Sequence, residues 1–111
     1  MNKKKTLSVL GTGSFAFDTI VKREYPDGFI PGKRNRFVEK VVMEEIGSNP
    51  GNVMCILGYL GWHSCPIALF DDSAQGVQMT KDFLRYGCDT RFVNNSPDGG
   101  TNCLKVIHCL D

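Results

Sequence analysis

Residues Ile46 to Gly61 read IGSNPGNVMCILGYLG, a polar turn rich in Gly and Asn set directly before an apolar segment that stops at a glycine. This arrangement leaves little choice of local structure. Asn49 fits an N-cap, Pro50 fits the first helical position, and Gly61 fits a left-handed residue just past a helix end. The spacing predicts a helix over 50–60. A helix N-terminus offers unpaired backbone N–H groups, and small residues ahead of it let a ligand approach closely. Asn49 and Asn52 add side-chain donors and acceptors at the same place, which suits a polar, hydroxyl-rich ligand. A well-formed helix cap accounts for the same residues without any ligand.

The flanking segments alternate in type. Residues 6–10 form a short, mostly apolar run ending at Gly11 and read as a buried strand. Residues 17–23 and 36–45 are rich in Val, Ile, Phe and Thr with partial alternation, so they read as strands. Pro26, Asp27, Gly28, Pro31 and Gly32 punctuate a loop between them. Residues 64–70 read as a further strand, despite Pro66 near its start. Asp71 to Ser73 then turn into a helix from Ala74 to Tyr86, with Val77, Phe83 and Leu84 on one face, Met79 nearer the edge, and Gly87 as its stop. Residues 91–94 and 102–109 read as strands joined by a turn at Ser96 to Gly100. Two strand–helix–strand units give an α/β fold with a partly parallel sheet and flanking helices.

Composition excludes several classes. The 111 residues suffice for one domain and not for two of ordinary size. With 41% hydrophobic and 23% charged residues the chain is globular in type, and a net charge of +1 gives no reason to expect nucleic acid or a membrane surface as partner. Lys3, Lys4 and Lys5 read as a solvated N-terminus, and Lys33, Arg34 and Arg36 as loop solvation or a phosphate contact. The lysines and the apolar run after them imitate a secretory signal, but Gly11 to Ser14 and Asp18 interrupt it. No apolar run approaches the ~18 residues of a membrane helix, so a cytoplasmic location is expected. Cys55, Cys65, Cys88, Cys103 and Cys109 form no C-x-x-C pair, and His63 and His108 are not at metal-ligand spacing to one another. Most of the cysteines sit in apolar segments and read as small buried hydrophobes, with no disulfide and no metal site expected.

Three segments together carry a resemblance. VLGTGSFAFDTIV is a strand running into Asp18. GSNPGN is followed after five residues by GYLG, and FDDSAQGVQMTKDFLRYGCDTRFV follows in turn. In this order the chain resembles the beginning of a ribokinase-like sugar kinase, of the phosphofructokinase-B family of carbohydrate and nucleoside kinases. The pieces correspond to the family's substrate-binding aspartate, its Gly-Gly-x-x-x-Asn turn with the helix after it, and its Asp-Asp-x-x-Gly, helix, Gly-x-Asp-Thr, strand sequence. The match runs over roughly residues 7–107. It departs in two places, where Ser48 stands for the second glycine of the pair and Phe70 for the glycine before Asp71-Asp72.

The resemblance implies that residues 1–111 are the N-terminal part of a ribokinase-like kinase domain. Strands over about 17–45 would form part of a small β lid over the sugar, and the units from residue 47 onward would join the large α/β domain. Asp18, Gly47, Ser48, Asn49 and Asn52 would bind the sugar or nucleoside. Carboxylates and amides suit that task because each bonds two neighbouring hydroxyls, and charge-assisted bonds are about twice as strong as neutral ones. The full-length enzyme would use ATP and Mg2+ to phosphorylate a sugar or nucleoside hydroxyl. These residues hold neither a G-x-x-x-x-G-K-[ST] stretch nor the family's Gly-Ala-Gly-Asp, so no catalytic, nucleotide or metal residue is expected among them, and the piece alone would be inactive. Some members pair lids between two subunits, and Phe37, Val38, Val41 and Val42 would supply a face for such a homodimer.

Two other readings stay open. One is a non-enzymatic sugar- or nucleoside-binding module. The other is a dinucleotide-binding domain, since Gly11-Thr12-Gly13-Ser14-Phe15-Ala16 fits G-x-G-x-x-A after a strand. That reading requires a helix where the β-branched Thr19, Ile20 and Val21 stand, and an acid at a strand end, for which Glu39 is the fair candidate.

Overall fold

The computed structural model describes residues 7–110, so the Lys3–Lys5 cluster and Thr6 lie outside the described residues. The elements are β1 (Ser8–Gly11), β2 (Ala16–Glu24), β3 (Val38–Gly47), α1 (Ser48–Tyr59), β4 (His63–Pro66), β5 (Ala68–Phe70), α2 (Ala74–Arg85), β6 (Val93–Asn95) and β7 (Asn102–Leu110). Both helices stop where a glycine can turn left-handed. Gly61 (φ +94°) and Gly87 (φ +85°) follow α1 and α2. Trp62 N–H and Cys88 N–H reach back to the Leu57 and Phe83 carbonyls at 3.0 and 2.9 Å, closing each helix in a Schellman motif.

Helix starts differ between the two. Ser73 caps α2 by accepting from Gly76 N–H at 3.1 Å. In α1 the cap is Gly47, with no side-chain cap bond, and Asn49 lies inside the helix rather than capping it. The helix starts two residues earlier than expected, where Ser48 takes φ +67° and its hydroxyl donates to the Ser14 carbonyl.

The strand pairings correct three expectations. The stretch 64–70 is two strands, since at Ile67 the chain leaves one partner for another. β4 pairs in parallel with β1, and Ile67 N–H reaches the Gly11 carbonyl at 2.8 Å; β5 then pairs in parallel with β6. Strands β6 and β7 are not a hairpin. Gly99 crosses so close to β5 that a Cβ there would lie 2.1 Å from the Phe70 carbonyl oxygen, and Thr101 Oγ1 bonds Asp71 Oδ1 at 2.7 Å. The chain is thereby carried past β5, and β7 runs parallel to β2 instead. The strands expected over 17–45 thus form a three-stranded sheet, β3–β2–β7, with its third strand drawn from beyond residue 47. After Gly11-Thr12-Gly13 the chain enters β2, so the helix required by a dinucleotide-binding turn is not formed.

Strand β3 carries one extra residue, Val42, opposite the Ile20–Val21 step of β2. Such a bulge sharpens the twist of the ribbon. Glu39 ties this sheet across all three strands, accepting from Arg23 Nε at 2.7 Å and Lys105 Nζ at 2.8 Å. At the β2–β3 end of the sheet the Arg23 guanidinium sits 3.9 Å from the Phe37 ring centre, and Arg36 pairs with Asp27 at 3.1 Å. The sheet extends the molecule. The radius of gyration is 18.0 Å, against ~13 Å for a compact domain of this length.

The core lies at the end of this sheet where Phe17 and Ile46 pair. Phe15 meets Phe83 and Phe70 edge-on at 5.3 and 6.1 Å, while Phe70 and Phe83 stack at 6.3 Å. Phe17, Ile46, Met54, Cys55, Met79, Cys88 and Val93 complete it. Phe70, a departure from the resembled motif, is therefore a core residue. On α2 the buried face centres on Met79, Asp82 and Phe83, and Leu84 is exposed, so the apolar stripe is rotated from the expected one. Asp82 explains the rotation: its carboxylate faces inward to accept from Ile46 N–H at 2.9 Å.

Candidate functional site

Asp18 and Gly47 meet where the three-stranded sheet joins α1. Asp18 lies on β2, and Gly47 ends β3 as the cap of α1. A Cβ on Gly47 would sit 1.8 Å from Asp18 Oδ2, so only glycine leaves room for the carboxylate against the helix start. Asp18 Oδ1 is buried and is the one such side-chain oxygen without a hydrogen-bond partner among the described residues. An unpaired buried acceptor costs about 1–3 kcal/mol, a cost that a ligand hydroxyl can remove by donating to it.

Ser48, Asn52, Cys55, Ile56 and Tyr59 follow one another at helical spacing along α1, and cavities open on both sides of this row. One cavity, of about 300 Å³, is lined by Ser14, Ala16, Ser48, Asn102, Cys103 and Leu104. Asp18 lines neither cavity itself, but it shares a strand face with Ala16 and in the β2–β7 register stands opposite Leu104, two residues of this lining. The other cavity, of about 230 Å³, is lined by Glu45, Ile46, Asn52, Cys55, Ile56, Tyr59 and Tyr86. There the Tyr86 hydroxyl donates to Glu45 Oε2 at 3.2 Å, and burial followed by the Glu45 charge pushes the phenol up from its ordinary value.

Of the five predicted site residues, Asp18, Gly47 and Ser48 converge directly. Asn52 is one turn further along the helix and opens to the second cavity, and Asn49 is exposed. The cavity beside Asp18 takes half its lining from β7, through Asn102, Cys103 and Leu104, and one further residue from Ser14. These four were not foreseen: the three on β7 are placed by the β2–β7 pairing, and Ser14 by its carbonyl accepting from the Ser48 hydroxyl. Local pattern held no signal for it.

The site offers a carboxylate, a hydroxyl, amides and helix N–H groups, a set suited to hydroxyls rather than to oxidised or reduced centres. Cys55, Cys65 and Cys88 are buried, whereas Cys103 and Cys109 are exposed on β7.

No protein-family model matches the sequence, and no curated protein matches it. Solved structures do match. A fructokinase from Xylella fastidiosa superposes with a TM-score of 0.64 at 16% identity, over 88% of this chain and 27% of that one. An aminoimidazole riboside kinase from Salmonella enterica gives 0.62 at 21% identity, over 89% and 28%. A protein from Agrobacterium tumefaciens, assigned provisionally as a ribokinase, gives 0.72 at 16% identity, over 93% and 32%. The chain thus spans about 30% of the length of these proteins. By these matches, the chain has the fold of a portion of the ribokinase-like sugar kinases.

Proposed function

We propose that this chain forms the acceptor-binding part of a kinase that transfers a phosphoryl group from ATP to a hydroxyl of a sugar or nucleoside. The observation that carries the reading is Asp18 Oδ1, buried and unpartnered beside a cavity at the start of α1. Phosphoryl transfer depends chiefly on holding the acceptor in line and on neutralising charge at the phosphate. Asp18 binds one or two acceptor hydroxyls, Gly47 leaves it room, Ser48 narrows the turn, and Asn52 bonds the acceptor from the adjoining side. The kinases of similar fold include two solved with ATP, which supports ATP as donor. Mg2+ would offset the phosphate charge when bound, and these 111 residues hold no stretch to which its ligation can be assigned.

The lid makes a second use possible within the same reading. Phe37, just before β3, and Val38, Val41 and Val42 on it are exposed along an open edge of the lid sheet, and they offer an apolar face for a second copy.

The test is made on the protein from the whole reading frame. Asp18→Ala and Asn52→Ala are expected to weaken sugar or nucleoside affinity by tenfold or more, about 1.4 kcal/mol, with ATP affinity nearly unchanged. Normal acceptor affinity in both variants overturns the assignment. Acceptor binding without transfer from ATP favours a binding module instead. Sedimentation of Val41→Lys against the parent chain tests the lid dimer, which predicts a shift to monomer.

A further inference from the structure

We propose that His63, Cys65 and Asp89 form a binding site for a zinc-class divalent cation, separate from the turn at Asp18. His63 and Cys65 are two residues apart on β4 and so share a strand face. Asp89 is brought to them after α2, where its N–H donates to the Ser64 carbonyl at 2.8 Å. His63 Nε2 lies 2.8 Å from Asp89 Oδ2 and 3.3 Å from Cys65 Sγ, and the three donor atoms lie within 4.8 Å of one another. Zinc bonds of ~2.0–2.3 Å at tetrahedral angles place donor atoms ~3.3–3.6 Å apart. The observed spacings need only a small opening to admit the ion.

The directions of these contacts argue for a shared ion over a catalytic relay. A thiol–imidazole–carboxylate relay places thiol and carboxylate on opposite ring nitrogens. Here both converge on Nε2, while Nδ1 meets Ser8 Oγ at 3.2 Å. With a metal on Nε2 the ring's one proton sits on Nδ1 and is donated to Ser8, the outer-sphere arrangement that orients a ligating histidine. Binding also releases the Cys65 thiol proton to solvent. Thiolate, imidazole and carboxylate together select zinc or cobalt over magnesium or calcium. Three protein donors leave a fourth position for water.

Cys65 is buried, but the His63 side chain is 41% exposed, which gives a cation a route in. Arg91 is the competing charge, since its guanidinium lies 2.8 Å from the same Asp89 oxygen. Its side chain is 63% exposed and can swing out to solvent.

The experiment titrates ZnCl2 and CoCl2 into the reduced, tag-free chain, following heat and cobalt absorption. Expected are one equivalent bound, a thiolate-to-cobalt charge-transfer band, and a rise in melting temperature. Cys65→Ser and His63→Gln are expected to weaken binding by tenfold or more. Arg91→Ala is expected to bind at least as tightly, and Cys103→Ser with Cys109→Ser to bind unchanged. His63→Gln alters a part-exposed side chain and keeps the test valid if Cys65→Ser fails to fold. A missing charge-transfer band, or unchanged affinity in His63→Gln, overturns the proposal.

Discussion

Asp82 joins α2 to the strand that leads into the candidate site, and its removal should unfold the chain more readily than any comparable surface change. The residue is 1% exposed. Its Oδ2 accepts from Ile46 N–H at 2.9 Å, and its Oδ1 accepts from Gln78 Nε2 at 2.9 Å, with Arg85 3.6 Å away. Asp82→Ala leaves the Ile46 N–H buried with no acceptor. A hydrogen bond to a charged group contributes ~1.5–3 kcal/mol, and an orphaned buried donor costs ~1–3 kcal/mol. These are overlapping views of one loss, so the expected cost is about 2–4 kcal/mol, a large part of the ~5–15 kcal/mol that holds an ordinary domain. Asp82→Asn keeps an oxygen facing Ile46, and Gln78 can turn its own amide to match. About 1 kcal/mol is expected for it. Urea unfolding at neutral pH, read by Trp62 fluorescence and circular dichroism, gives both values. Equal losses in the two variants, or a loss below about 1 kcal/mol in Asp82→Ala, would refute the argument that Ile46 N–H depends on this carboxylate.

Further outcomes follow from single contacts. Gly47→Ala should displace the Asp18 carboxylate, since the new Cβ would fall 1.8 Å from Oδ2; calorimetry on the whole protein should show acceptor affinity falling at least as far as in Asp18→Ala. The hydroxyls of Ser73 and then Thr101 hold Asp71 below the usual carboxylate range. Its stabilising effect is therefore complete above its unfolded value of ~3.9 and is lost as pH falls through the lower folded value. Asp71→Asn should flatten stability against pH below about 4, and an unchanged pH profile would count against the network. A thiol reagent should label Cys103 and Cys109 rapidly in the native chain and the buried Cys55, Cys65 and Cys88 only on unfolding, as peptide mapping would show.

Much of the local structure was written in the order of residues. Gly61 and Gly87 announced both helix ends because a left-handed residue tolerates almost no other side chain. The resemblance of three ordered segments named Asp18 and the turn 47–52 as a candidate site, and the fold sets Gly47 of that turn against the Asp18 carboxylate. Asn49 misled, because Ser48 accepted the left-handed conformation that glycine usually takes, and the helix began earlier. Leu84 misled for a related reason. The hydrophobic stripe of α2 was judged without knowing that Asp82 would be drawn inward by a backbone N–H from β3.

What tertiary structure alone decided was pairing across sequence distance. β7 could not be paired with β2 from its own residues, because an apolar strand pairs equally well with several partners until the crossing loop fixes its direction. Gly99 against Phe70 and Thr101 against Asp71 set that direction, and with it brought Asn102, Cys103 and Leu104 to the cavity beside Asp18. The meeting of His63 and Cys65 with Asp89, 26 residues from His63 in sequence, has the same origin. Periodicity and caps act within a few residues and can be read from the chain; the convergence of distant side chains requires the folded backbone to bring them together.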